Sequence, residues 1–239
     1  MYKGNKIVAI APALNEAGKI GSVVQRIPRE LVDLTLVVDD GSTDTTAQEA
    51  ERFGATVICF DRVKGAGAAL RAGIDYAIQH QYDIVVVLAG NNKDAPEEII
   101  RLIRPIVDEG QDFVQGSRFL TGGLYGNMPF YRVLATRLHP LLFSMVSGKK
   151  VTESTNGFRA FRTSLFADKG INLWQDWLDQ YELEPYLYYK VIKCGYNTKE
   201  VPVTKIYPPK QLGYTKMKPL IGWWSILRPL LYLALRLKT

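Results

Sequence analysis

The sequence predicts an α/β fold: a mostly parallel, Rossmann-like sheet with helices on both faces. Three observations carry this. Short β-branched runs alternate with amphipathic stretches through the first half of the chain. The runs are continuously apolar, as strands buried on both faces are. Each run ends in a polar or glycine cluster, and open parallel sheets bind ligands outside the carboxyl ends of their strands. With 239 residues, 47% of them hydrophobic, the chain is long enough to bury a full core.

The elements follow in order. "KIVAIAPAL" reads as the first strand and runs into Asn15 and Glu16 before the helix "EAGKIGSVVQRI". "LTLVVDDGS" is the second, ending at Asp39 and Asp40, and "TDTTAQEAERFG" is its helix, with Asp, Ser and Thr also able to cap that helix. "ATVICFD" is the third strand, and Lys64 and Gly65 open the glycine-rich turn "KGAGAALRAG", suited to a phosphate at a helix N-terminus. "YDIVVVLAG" is the fourth, running into Asn91, Asn92, Lys93 and Asp94 ahead of "APEEIIRLIRPIVDEG". The glycine turn follows the third strand and lacks a placed acidic ribose partner, which argues against a dinucleotide-binding dehydrogenase.

Charge and cysteine use narrow the class. From Lys199 onward there are eight basic residues and one acidic, a local charge of +7 in a chain of net charge +6. Such a tail suits an anionic membrane or a phosphorylated substrate; no nucleic-acid motif accompanies it, so nucleic acid is not expected. Cys59 and Cys194 sit in apolar segments without metal spacing and read as reduced core residues. His80 and His139 have no metal-spaced partner and receive no chemistry. The N-terminal apolar run is too short for a signal peptide, so the expected place is the cytoplasm. "LIGWWSILRPLLYLALRLKT", divided by Arg228-Pro229, has apolar runs too short to span a bilayer and reads as a peripheral, interfacial segment on the membrane's inner face. Burial against the main domain or in a homo-oligomer is its alternative use. "FYRVLATRLHPLLFSMVSGKK" is a second amphipathic candidate for membrane contact.

Taken together, "APALNEA", "VVDDGSTDTT", "VKGAGAALRAGI", "GSRF", "ESTNGFRAFR" and "KEVPVTKIYPPKQLGYTKM" resemble, in order and spacing, the family 2 inverting glycosyltransferases. The chain looks most like their branch of dolichol-phosphate mannose synthases and bacterial polyprenyl-phosphate sugar transferases, over roughly residues 6 to 218. The resemblance implies a GT-A fold over 1–218, followed by the amphipathic tail 219–239. It implies a nucleoside diphosphate sugar donor and a polyprenyl phosphate acceptor. Transfer to a hydroxyl of a soluble or glycolipid acceptor, and nucleotide-sugar binding without transfer, stay open.

Residue roles carry over from the same resemblance. Pro12, Ala13, Asn15 and Glu16 would line the nucleoside site, Asp39 and Asp40 would meet the base, and Lys64 and Gly65 would lie near sugar or diphosphate. Relatives end the fourth strand in an Asp-x-Asp motif holding Mg²⁺ or Mn²⁺; here the triplet is Ala89-Gly90-Asn91, which leaves Asn91 and Asp94 as the candidate ligands. The alternative is that Lys93, Arg118, Arg159 and Lys216 neutralise the leaving group. Glu153 stands where relatives carry Asp and is the candidate base or positioning group, with Arg118 and Arg159 beside it. Glu182 and Glu184 both match a family acidic position, and Lys210 and Lys216 match a basic loop that closes over phosphates.

Overall fold

A computed structural model of the chain describes residues 1–208, 221–235 and 237–238. Seven strands form one sheet in the order β3-β2-β1-β4-β7-β5-β8. β1 (Ile7–Ala13), β2 (Leu34–Asp39), β3 (Thr56–Cys59) and β4 (Ile84–Val87) are mutually parallel, joined through α1 (Ile20–Arg26), α2 (Thr46–Arg52) and α3 (Ala66–Gln79). After α4 (Ile99–Asp108) come β5 (Phe113–Ser117), β6 (Leu124–Gly126) and the long helix α5 (Phe130–Ser147). β7 (Arg159–Arg162) then enters antiparallel between β4 and β5. α6 (Leu183–Lys193) leads to β8 (Thr198–Pro202), parallel to β5, and β9 (Thr204–Ile206) pairs with β6 in a separate ribbon.

Side-chain alternation along buried strands builds two cores from one sheet. Val8 and Ile10 of β1 and Val85 and Val87 of β4 face Leu70 and Ile74 of α3, in a cluster that continues into Tyr186 and Leu187 of α6. Ile7, Ala9, Ile84 and Val86 point the other way, against Val23 and Val24 of α1 and Leu102 and Ile106 of α4. This two-sided burial is why the strands read as unbroken apolar runs.

Two expectations need correction. Cys59 and Cys194 are both exposed, not core: β3 is an edge strand and Cys59 is its last residue, while Cys194 caps the C-terminus of α6. Arg228-Pro229 does not divide the tail, because α7 (Ile221–Ala234) runs through Pro229 as one helix. α7 packs on α5 and α6. Arg228 donates to Glu182 at 2.6 Å and to the Trp177 carbonyl at 3.1 Å, Tyr232 meets Trp177 edge-on, and Leu230 and Leu233 are buried. Among the described residues no helix is long and apolar enough to cross a membrane.

Candidate active site

One cavity of about 600 Å³ opens at the carboxyl ends of β1, β2 and β4, a size typical of ligand pockets. Pro12, Ala13 and Glu16 line it from β1 and the turn that follows, with Glu16 ion-paired to Lys19. Asp40 lines it too, its carboxylate accepting the Lys64 and Gly65 amides at 2.7–3.1 Å. Asp39 does not: it is bent into its own turn, accepting from the amide and hydroxyl of Ser42. Asn15, at φ 48°, is exposed, does not line the cavity, and ties this loop to the next one through Ser42 and Thr43.

The glycine turn serves packing. A Cβ on Gly67 would lie 2.0 Å from the Leu178 carbonyl, and one on Gly65 2.3 Å from that of Asp179. The Ala68 amide donates to the Asp179 carbonyl at 3.0 Å, which ties the first turn of α3 to that segment. Gly65 lines the cavity, whereas the Lys64 side chain is half exposed over the Phe60 ring.

The β4 end carries the site's positive charge. Asp94 is buried, with Oδ1 2.5 Å from Lys205 Nζ and Oδ2 accepting the Ala89 amide at 3.0 Å. Asn91 lines the cavity and accepts the Lys93 amide at 3.3 Å. Lys93 is 9% exposed, its Nζ 4.5 Å from the centre of the Tyr207 ring, and no carboxylate among the described residues lies within 4 Å of it. Burial, with the charges of Lys205 and Arg132 adding to it, pushes its pKa down to about 7. Arg132 of α5 stands 5.6 Å from the centre of the same ring.

Across the cavity, Arg118 follows β5 and donates through Nε to Glu153 at 2.6 Å. Glu153 is fully buried; its other oxygen accepts the Ser154 and Thr155 amides and the Thr155 hydroxyl at 2.8–3.2 Å. Burial opposes the Arg118 charge, but Glu153 outweighs it and the pKa stays above the ordinary value. Arg118 and Thr155 therefore present themselves to the cavity while Glu153 stays beneath them. Arg159 is also fully buried: it donates to the carbonyls of Glu184 and Asn156 at 3.0 and 2.7 Å, pairs with the Glu184 carboxylate at 3.4 Å, and does not line the cavity. Glu184 does line it, and Glu182 instead holds α7.

Residues 8–169 match the profile described as Glycosyl transferase family 2. The chain belongs to that family. It is a glycosyltransferase of GT-A fold, in the polyprenyl-phosphate branch. It is 30% identical over 203 residues to an uncharacterized protein of Methanocaldococcus jannaschii (85% of this chain, 82% of the relative). It is 30% identical over 221 residues to the polyprenol monophosphomannose synthase of Mycolicibacterium smegmatis (89% and 81%). Glucosyl-3-phosphoglycerate synthase of Mycobacterium tuberculosis, solved with Mn²⁺, UDP and phosphoglyceric acid, superposes with a TM-score of 0.72 at 22% identity, over 97% of this chain and 79% of that one.

This glycosyltransferase departs from a metal-binding strand end in its donor set. Ala89 and Gly90 carry no side-chain ligand, the Asn91 oxygen takes the Lys93 amide, and Asp94 is held between Lys205 and the Ala89 amide. Among the described residues no three His, Cys, Asp or Glu side chains gather to hold a metal ion. The residues present do not fit Mg²⁺ or Mn²⁺, because a hard dication needs anionic oxygens and here meets a buried ammonium. Of the two expected ligands, Asn91 accepts the Lys93 amide within its own turn and Asp94 pairs with Lys205. Lys210 and Lys216 lie outside the described residues.

Sequence reasoning missed Arg132, Lys205 and Thr155. A signal existed for the first: Arg132, Thr136 and His139 recur at i, i+4 and i+7 on a largely apolar helix, and all three line the cavity.

Proposed function

We propose that this family 2 glycosyltransferase moves a sugar, with inversion, from a nucleoside diphosphate sugar to a polyprenyl phosphate presented at a membrane surface. One observation carries the reading: a single cavity runs from the Pro12–Asp40 end, over a cationic floor, into an apolar lane between Ala135, Leu138 and Leu142 of α5 and Ile226 and Leu227 of α7. A charged headgroup with an apolar tail suits that gradient. The names of relatives agree, among them the polyprenol monophosphomannose synthase already described.

In this reading Pro12, Ala13, Glu16 and Asp40 hold the nucleoside, and Arg118 holds the acceptor phosphate, since a guanidinium fork matches its oxygens. A phosphate oxygen attacks the anomeric carbon from the face opposite the diphosphate; the bond from that carbon to the donor oxygen breaks, and its electrons leave with the nucleoside diphosphate. The nucleophile is already an anion, so no base is required, which accords with Glu153 lying beneath Arg118 as a positioning residue. The Glu184 carboxylate on the cavity wall supports a second reading, with Glu184 as base for a hydroxyl acceptor.

Purified protein is incubated with UDP-glucose or GDP-mannose and with either undecaprenyl phosphate or undecaprenol. Sugar transferred only to the phosphate, in a β-linkage by NMR from an α-linked donor, is the expected result. Transfer to undecaprenol alone moves the assignment to the second reading, and no transfer from any nucleotide sugar overturns both.

A further inference from the structure

We infer that this enzyme holds the donor diphosphate with the buried ammonium of Lys93, supported by Lys205 and Arg132, in place of a divalent cation. The inference rests on the reading above that the donor is a nucleoside diphosphate sugar.

Lys93 follows the β4 end by a few residues, lines the cavity, and is nearly closed off from solvent. Burying an ammonium is costly unless an anion accompanies it. The acids near it are otherwise engaged: Asp94 with Lys205, Glu16 with Lys19. What Lys93 does face is the Tyr207 ring, which the Arg132 guanidinium also approaches. Cations gathered on one aromatic side chain repel each other, and a ligand anion entering the cavity would relieve both that repulsion and the desolvation of Lys93. The charge balance agrees. Two carboxylates with one dication sum to zero, whereas Ala89, Gly90 and Asn91 bring no charge and Lys93 brings +1. Asp94 adds nothing to a cation site, because its two oxygens are taken up by Lys205 and the Ala89 amide, an arrangement that also fixes the turn carrying Lys93.

The test is calorimetric titration of the full chain with UDP and with GDP, in EDTA and in Mn²⁺, for the wild type, Lys93→Met and Lys93→Arg. The expected result is binding of at least one nucleotide in EDTA, with Mn²⁺ changing its Kd less than about threefold. Lys93→Met weakens that binding about tenfold or more, and Lys93→Arg retains most of it. Ligand-observed NMR of the matching nucleoside finds its binding unchanged in Lys93→Met. The thermal midpoint of Lys93→Met equals or exceeds that of the wild type, since a buried charge has been removed, so the loss is not unfolding. Binding that appears only with Mn²⁺ overturns the inference and leaves the donor reading standing, as does wild-type affinity in Lys93→Met. Failure of both nucleotides under every condition overturns the inference and the donor reading together.

Discussion

At the scale of single residues, the ion pair of Arg118 and Glu153 organises the part of the cavity proposed to take the acceptor. Both are buried, and the pair spans 35 positions of sequence to join the end of β5 to the loop before β7. Glu153→Gln leaves the guanidinium buried without its counter-charge, which costs about 3 kcal/mol or more. Urea denaturation measures that loss, and the KM for polyprenyl phosphate rises while nucleotide affinity holds. The double variant Arg118→Met/Glu153→Met recovers much of the stability and none of the transfer. Which acidic residue does what was only partly legible beforehand. Asp39 and Asp40 are adjacent and chemically identical, yet one folds into a serine turn and the other faces the cavity, a choice made by backbone direction at the strand end. Arg159 is expected near the leaving group from the resemblance and from the match of a guanidinium to phosphate, whereas it belongs to a central strand and is fully buried.

Among elements, α5 and α7 form the seat of the apolar lane, and one histidine pins them. His139 of α5 is hydrogen-bonded to the Ser154 hydroxyl at 2.7 Å and to the Ile226 carbonyl of α7 at 3.3 Å. Burial holds its pKa below the ordinary 6.5, only partly offset by the bond to Ile226. Below pH 6.5 the unfolded chain therefore takes up a proton at this position that the folded chain refuses, and stability falls as the pH drops towards the folded pKa. The slope from this group is at most about 1.4 kcal/mol per pH unit. Denaturation midpoints followed from pH 7.5 to 5.5 check it, with His139→Gln expected to flatten the profile. The βα alternation of the first half was legible because each unit is local and periodic. The insertion of β7 was not, since it depends on partners up to 78 positions away, as in the pairing of Ile84 with Arg162.

For the whole molecule, surface chemistry is lopsided. The outer face of α5 exposes Phe130, Leu134, Leu141 and Met145, α7 exposes Trp224 and Leu231 beside it, and Leu235 is exposed just past the end of α7. The chain carries a net charge of +6. On the proposed reading, this apolar stripe on a basic protein would seat on an anionic bilayer surface. Co-sedimentation with vesicles containing phosphatidylglycerol is expected for the wild type and is lost in Leu134→Glu/Leu141→Glu, with nucleotide binding intact. Equal binding by the variant would place the membrane contact elsewhere.

The antiparallel strand has a further consequence, for synthesis. The strands β3, β2, β1 and β4 are complete once Val87 has been made, but the neighbour that covers β4 begins only at Arg159. Until then a half-sheet of these four strands would leave β4 as a second bare edge in addition to that of β3, the feature on which chains stick to one another. A fragment cut before residue 159 keeps that edge for good. The segment that seals the sheet also brings Glu153 under Arg118, so the covered β4 edge and the buried ion pair arrive together.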